Sequence, residues 1–138
     1  EGELLSNLTK KINQLNLTGV VFLLGFKQNI FNYLSKAKCL ILPSLYENPG
    51  HVLMEAAASN CTILSSDCPT GPAEFLDYGK GGYIFKVNSE EDLIKKLSLF
   101  INDSDENIKS KKIIAKKKSK KYTKYQHYLI FNKILSNE

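Results

Sequence analysis

Arginine is missing from this chain. All 19 basic residues are lysine, so any anion it holds meets point-like ammonium groups or backbone N–H, never the planar fork that grips phosphate with two parallel bonds. Cysteine is scarce and odd in number. Cys39, Cys61 and Cys68 lack metal-ligand spacing and cannot form the even set of a secreted disulfide framework, so all three are expected to be reduced, with Cys39 and Cys61 in or next to strands. No apolar run approaches the roughly 18 to 20 residues needed to cross a bilayer. The opening Glu1-Gly2-Glu3 has the wrong charge for a signal peptide, and a cytoplasmic location is the default expectation. Neither a histidine cluster nor an Asp-x-Asp pair suited to a metal is read from the sequence, so no metal or other cofactor is expected.

What is present fits one globular α/β domain. The 138 residues are 43% hydrophobic and 24% charged, long enough and apolar enough to bury a core. The net charge of +5 is unevenly placed. Nine lysines lie between Lys109 and Lys124 with no acid among them, leaving 10 bases against 14 acids elsewhere. Such a run is read first as a solvated face, and a peripheral contact with an anionic membrane stays open. Tyrosines accompany the lysines, but no RNA-binding motif does, so nucleic acid is not an expected partner.

Apolar periodicity supplies the elements. Glu3 to Asn16 has helical spacing, and Val20 to Leu24 has the length of a buried strand. A short helix is expected over Asn29 to Ala37, and strands over Cys39 to Pro43, Thr62 to Ser65 and Tyr83 to Val87. Helices are expected near Ala73 to Leu76, and from Asn88 or Ser89 to about Ile101, where Glu91 and Asp92 suit a first turn. Ser104 or Asp105 could cap a further helix, and Tyr122, Tyr125, Tyr128, Leu129, Asn132 and Ile134 suggest a last one. Alternating strands and helices argue for an open parallel, Rossmann-like sheet with helices on both faces, whose ligands bind at the carboxyl edge. Residues 1–102 read as this domain and 103–138 as lysine- and tyrosine-rich helices.

The unusual residues concentrate between Leu42 and Phe75. Strand Cys39–Pro43 ends in a turn-forming loop, Glu47-Asn48-Pro49-Gly50, from which a helix should start with Asn48 as its cap and Pro49 at its first position. Free N–H groups of Gly50, His51 and Val52 would then face outward with the positive end of the helix dipole, a setting that suits a phosphate. Glu55 follows among apolar and small neighbours. A carboxylate there needs a partner if buried, and two ribose hydroxyls would satisfy its two oxygens. Its bland alternative is an exposed helix glutamate; for Glu47 it is an ordinary loop acid, and for His51 a side chain covering the helix start. A second loop, Asp67 to Pro72, should emerge at the same edge, where Thr70 and Gly71 could offer a hydroxyl and an N–H or could simply form a rigid turn. Glu74 is expected to cap its own short helix.

Glu47 and Glu55, set in PSLYENPGHVLMEAAA and followed by SSDCPTGPAEFL, resemble the signature of the group 1 (family 4) glycosyltransferases over roughly residues 1 to 100. These are two-domain GT-B enzymes that use nucleotide sugars, mostly retaining and without an active-site metal. The resemblance implies that Glu47 lies by the sugar and diphosphate and that Glu55 binds the ribose hydroxyls. Where the family usually has a Gly-Phe-Gly type of loop, this chain has Asn48, Pro49, Gly50 and His51. It implies a nucleotide-sugar donor and a glycan or lipid-linked glycan acceptor. An acceptor domain or partner chain would lie upstream, because Glu1-Gly2-Glu3-Leu4 resembles the tail of a family Gly-rich turn. The family's terminal helix crosses back to that domain. Other readings are a non-catalytic nucleotide-sugar-binding fragment, a split-enzyme subunit needing a partner, and an epimerase of the same two-domain build.

Overall fold

The computed structural model describes residues 2–48 and 50–136. The chain forms two compact units, Glu1–Ile30 and Phe31–Glu138. In the first, α1 (Leu5–Gln14) forms from the expected spacing, and no described residue is buried. Val20–Leu24 is not a strand there; it pairs with no strand, and Val20 and Phe22 are exposed. Apolar content and length make a run strand-compatible, but a strand exists only with a partner edge, and that partner is not specified within the run.

A short helix α2 (Ile30–Leu34) starts on the last residue of the first unit, and the second unit holds a parallel sheet in the order β1-β2-β3, formed by Cys39–Leu42, Thr62–Ser66 and Tyr83–Phe85. Sequential parallel strands require crossovers. These are α3 (His51–Ala58) between β1 and β2, and α4 (Pro72–Phe75) with a 3-10 turn (Asp77–Gly79) between β2 and β3. After β3 come α5 (Glu90–Ile101), α6 (Asp105–Ser119) and α7 (Lys124–Leu135). Ser89 and Ser104 cap α5 and α6 by accepting from the N–H of Asp92 and of Asn107.

All five β2 residues are buried. Such a strand needs cover on both faces. Leu64, Tyr83 and Phe85 pack with Leu93, Leu97 and Phe100 of α5, while α3, α4 and α6 also contact β2. Gly82 allows the close approach of β3, because a Cβ there would sit 2.6 Å from the Ile63 carbonyl oxygen. The three cysteines are free. Burial pushes the Cys39 thiol up to about 12, with the Cys61 thiol adding to the shift; such thiols stay protonated and inert.

At the amino edge of the sheet a polar clasp joins β3 to the α5–α6 corner. The Tyr83 hydroxyl donates to Asp103 Oδ2 at 2.6 Å, Asn107 Nδ2 donates to the same oxygen at 2.6 Å, and the Ser104 N–H donates to Oδ1 at 2.9 Å. Asp103-Ser104-Asp105 has Asp-x-Asp spacing, and its Asp103 is occupied by these donors. Lys111 donates to the Gly79 carbonyl at 2.8 Å and lies 5.0 Å from the Tyr83 ring centroid.

The Tyr83 hydrogen bond, followed by that of Asn107, holds the Asp103 carboxyl below its usual range. Burial first and the Asp103 bond second push the Tyr83 hydroxyl up. A depressed acid stabilises the fold above its unfolded pKa, about 3.9, and loses that effect as pH falls through its folded value. A raised phenol stabilises below about 10 and loses its effect as pH rises. Tyr83→Phe is thus expected to lower the thermal midpoint near neutral pH, with the gap from wild type closing below about pH 4 and above about pH 10. Thermal unfolding followed by circular dichroism across pH checks this; a gap independent of pH would show that the clasp carries no linkage.

Candidate functional site

β1 and β2 run parallel with Leu42 opposite Ser65, so the loops after them leave the same, carboxyl, edge. A hydrogen bond from the Thr70 hydroxyl to the Glu47 carbonyl joins the two loops. Pro69 O lies 2.8 Å from the same hydroxyl, whose one proton serves one acceptor at a time. Thr70 itself is left-handed, at φ 61°, as the tight return before Gly71 and α4 demands. The second loop is also tied to the sheet: the Asp67 N–H donates to Phe85 O at 2.9 Å, and Asp67 Oδ1 accepts from the Val87 N–H at 2.7 Å.

Glu47 is held from below by two serines at the strand ends. Ser44 Oγ donates to Glu47 Oε1 at 2.6 Å, and Ser66 Oγ donates to the Ser44 carbonyl at 2.6 Å. The sequence reading missed both. Their only signal was position, each being a small hydroxyl residue where a strand gives way to a loop.

Gly50 is buried at φ 74°, ψ 60°. A Cβ there would lie 3.2 Å from Leu53 Cδ1 and 3.4 Å from Glu47 Oε2. The Glu47 carboxylate therefore rests against the bare α-carbon of Gly50. This left-handed residue, not Asn48, is the cap position of α3, and no side chain caps the helix. Helical backbone cannot run through a residue with positive φ, so the helix starts at His51, two residues later than Asn48 as cap would place it. The expectation for Pro49 lies outside the described residues. Asn48 is exposed in the loop. His51 is exposed and Val52 half-buried in the first turn; among the described residues neither N–H donates to a protein acceptor. The positive end of α3 thus opens beside a carboxylate that Ser44 keeps in place.

Glu55 sits in the second turn of α3, half-buried. It lines a cleft of about 400 Å³ together with Phe31 of α2, Met54 and Ala58 of α3, Lys116 and Ser119 of α6, and Lys120 and Thr123 just beyond that helix. Nothing in the linear pattern pointed to this meeting, because it depends on α6 packing against α3. Gly71 is half-buried at φ 137° ahead of Pro72, and Glu74 is exposed in the first turn of α4. Among the described residues no group of three or more His, Cys, Asp or Glu is placed to hold a metal ion. No helix among them is long and apolar enough to cross a membrane.

A sequence family described as "Glycosyl transferases group 1" matches residues 1–126. The chain belongs to this family. It is 36% identical over 104 residues to an uncharacterised glycosyltransferase of Methanocaldococcus jannaschii, a match covering 66% of this chain and 26% of that protein. It is 31% identical over 124 residues, 90% of this chain and 34% of the relative, to a Campylobacter jejuni enzyme. That enzyme is named N-acetylgalactosamine-N,N'-diacetylbacillosaminyl-diphospho-undecaprenol 4-alpha-N-acetylgalactosaminyltransferase. Among solved structures, a Staphylococcus aureus TarM variant in complex with fondaparinux, alpha-GlcNAc-glycerol and UDP superposes with TM-score 0.82 at 26% identity, covering 99% of this chain and 27% of that one. The expected α/β, Rossmann-like fold of the GT-B glycosyltransferases is thereby met. This member of the group 1 glycosyl transferases spans only about a quarter to a third of those relatives.

Because Gly50 combines a positive φ with a close Leu53 contact, Gly50→Ala is expected to cost about 1 to 2 kcal/mol of stability. Urea unfolding measures this; an unchanged midpoint would show that the loop relaxes freely.

Proposed function

We propose that this chain is the donor-binding part of a glycosyltransferase that moves a sugar from a nucleotide-diphosphate sugar to an acceptor hydroxyl, in polysaccharide or glycoconjugate assembly. The observation that carries the reading is the pairing of Glu47, packed on Gly50 at the open N-terminus of α3, with Glu55 one turn further along the same helix. The diphosphate lies at the N–H groups of Gly50, His51 and Val52, where fixed positive dipoles stabilise charge as it develops on the leaving group. Glu47 orients the sugar or phosphate end, and Glu55 accepts from the ribose hydroxyls. Thr70 and Gly71 border the donor from the second loop, with Asn48 and Pro49 completing the first.

Retention of configuration and independence from a metal are the family's usual traits and belong to this proposal. The acceptor is a glycan or lipid-linked glycan, and an acceptor domain or partner chain completes the catalyst at the cytoplasmic face of a membrane. Lysines support that location: nine between Lys109 and Lys124 plus Lys133 make ten, with no acid from residue 107 to 136. A second reading, a nucleotide-sugar-binding fragment or split subunit inactive alone, is favoured by the short span of its relatives that this chain covers. Transferase assays with and without an acceptor-domain partner separate the two.

UDP in the TarM complex makes it the first ligand to try. Calorimetric titration with UDP, GDP and ADP is expected to show one binder, and Glu55→Ala is expected to weaken it by about 1 to 3 kcal/mol through lost bonds to a charged acceptor. No binding at millimolar concentration, or an unchanged affinity in Glu55→Ala, would overturn the donor-site reading.

A further inference from the structure

We propose that Ser44 is a positioning residue for Glu47: its hydroxyl holds one carboxylate oxygen so that the other is presented to the donor at the start of α3. The inference rests on the donor-site reading of Glu47, Gly50 and Glu55 and deepens it.

The loop backbone does not depend on that hydroxyl. Pro43 has no N–H with which to extend the ladder, and β1 ends at Leu42. Past that end other groups tie the chain: Ser66 Oγ donates to the Ser44 carbonyl at 2.6 Å, and the Thr70 hydroxyl bonds the Glu47 carbonyl. Both carbonyls are thus engaged, one from β2 and one from the loop that follows it. What the Ser44 hydroxyl adds is a bond to a side chain. It donates to Glu47 Oε1 at 2.6 Å, and so selects one setting of a carboxylate that would otherwise turn about three single bonds.

The type of donor matters as much as its place. A serine gives one proton to one oxygen, whereas a lysine would cancel the charge and an arginine fork would also cover both oxygens. Among the described residues Glu47 forms no ion pair, and Ser44 is the one donor to its carboxylate. Oε2 therefore keeps its charge and its lone pairs. It lies 3.4 Å from where a Gly50 Cβ would stand, beside the bare α-carbon at the positive end of α3, the position given above to the diphosphate and its sugar.

The test measures calorimetric affinities of the 138-residue chain for UDP-N-acetylglucosamine and UDP-N-acetylgalactosamine, whose sugars are those of the TarM complex and the Campylobacter enzyme. The proteins compared are wild type, Ser44→Ala, Ser44→Thr, Glu47→Ala and Ser44→Ala/Glu47→Ala. With the tighter ligand, Ser44→Ala is expected to weaken binding about fivefold or more, the equivalent of one ordinary hydrogen bond. Ser44→Thr keeps the hydroxyl and should restore most of the loss. In the Glu47→Ala background the Ser44 substitution should change nothing further, because its effect travels through that carboxylate. A loss of equal size in both backgrounds overturns the proposal, since Ser44 would then act on the loop or the ligand directly, and so does an unchanged affinity in Ser44→Ala. Binding of UDP with neither UDP-sugar bound, or wild-type affinity in Glu47→Ala, removes the role of Glu47 and the proposal with it while the nucleotide site stands. No nucleotide binding at all overturns the donor site as well.

Discussion

A strand buried on both faces sets the terms for this chain. With every residue of β2 enclosed, helices must lie on each side of the sheet, and parallel pairing to β1 and β3 forces every connection to return along the length of the strands. Both loops rich in unusual residues then emerge at one edge. The clasp of Tyr83, Asp103 and Asn107 closes the opposite edge, so stability and chemistry are drawn from different ends of the same strands.

At the carboxyl edge, position is obtained largely without large side chains. A glycine in a left-handed conformation turns the chain into α3 and leaves room for the Glu47 carboxylate, while Ser44 and Ser66 link that carboxylate to the ends of two strands. Thr70 bridges from the second loop. Each contact is short-range, so the carboxylate's place depends on the parallel register of β1 with β2.

The absence of arginine shapes how anions can be met. Diphosphate charge falls to backbone N–H at a helix end, and lysine enters from α6 as a single-point donor. Nine lysines crowd residues 109 to 124 with no acid among them. Along α6 and the turn after it the same residue type serves two settings: Lys111 is spent on the Gly79 carbonyl and the Tyr83 ring, whereas Lys116 and Lys120 line the Glu55 cleft.

Much was legible in the linear pattern, and for a physical reason. Strand and helix periods, the serine caps of α5 and α6, and the spacing of Glu47 and Glu55 are local properties, expressed over a few residues whatever the rest of the chain does. The sequence by itself therefore determined the parallel α/β class, the three strands of the second unit, the edge at which both loops emerge and the free state of the cysteines. It misled at Val20–Leu24, where strand formation needs a partner edge, and at Asn48, where the good capping residue lost to a left-handed Gly50 packed against a carboxylate. Only the tertiary structure decided that Ser44 holds Glu47 and is itself tied to Ser66, that Asp103 is consumed by Tyr83, and that Lys116 and Lys120 line the cleft with Glu55. Apart from the local Ser44–Glu47 bond, those pairings join residues 20 to about 65 positions apart, and such distances are closed by packing, about which periodicity carries no information.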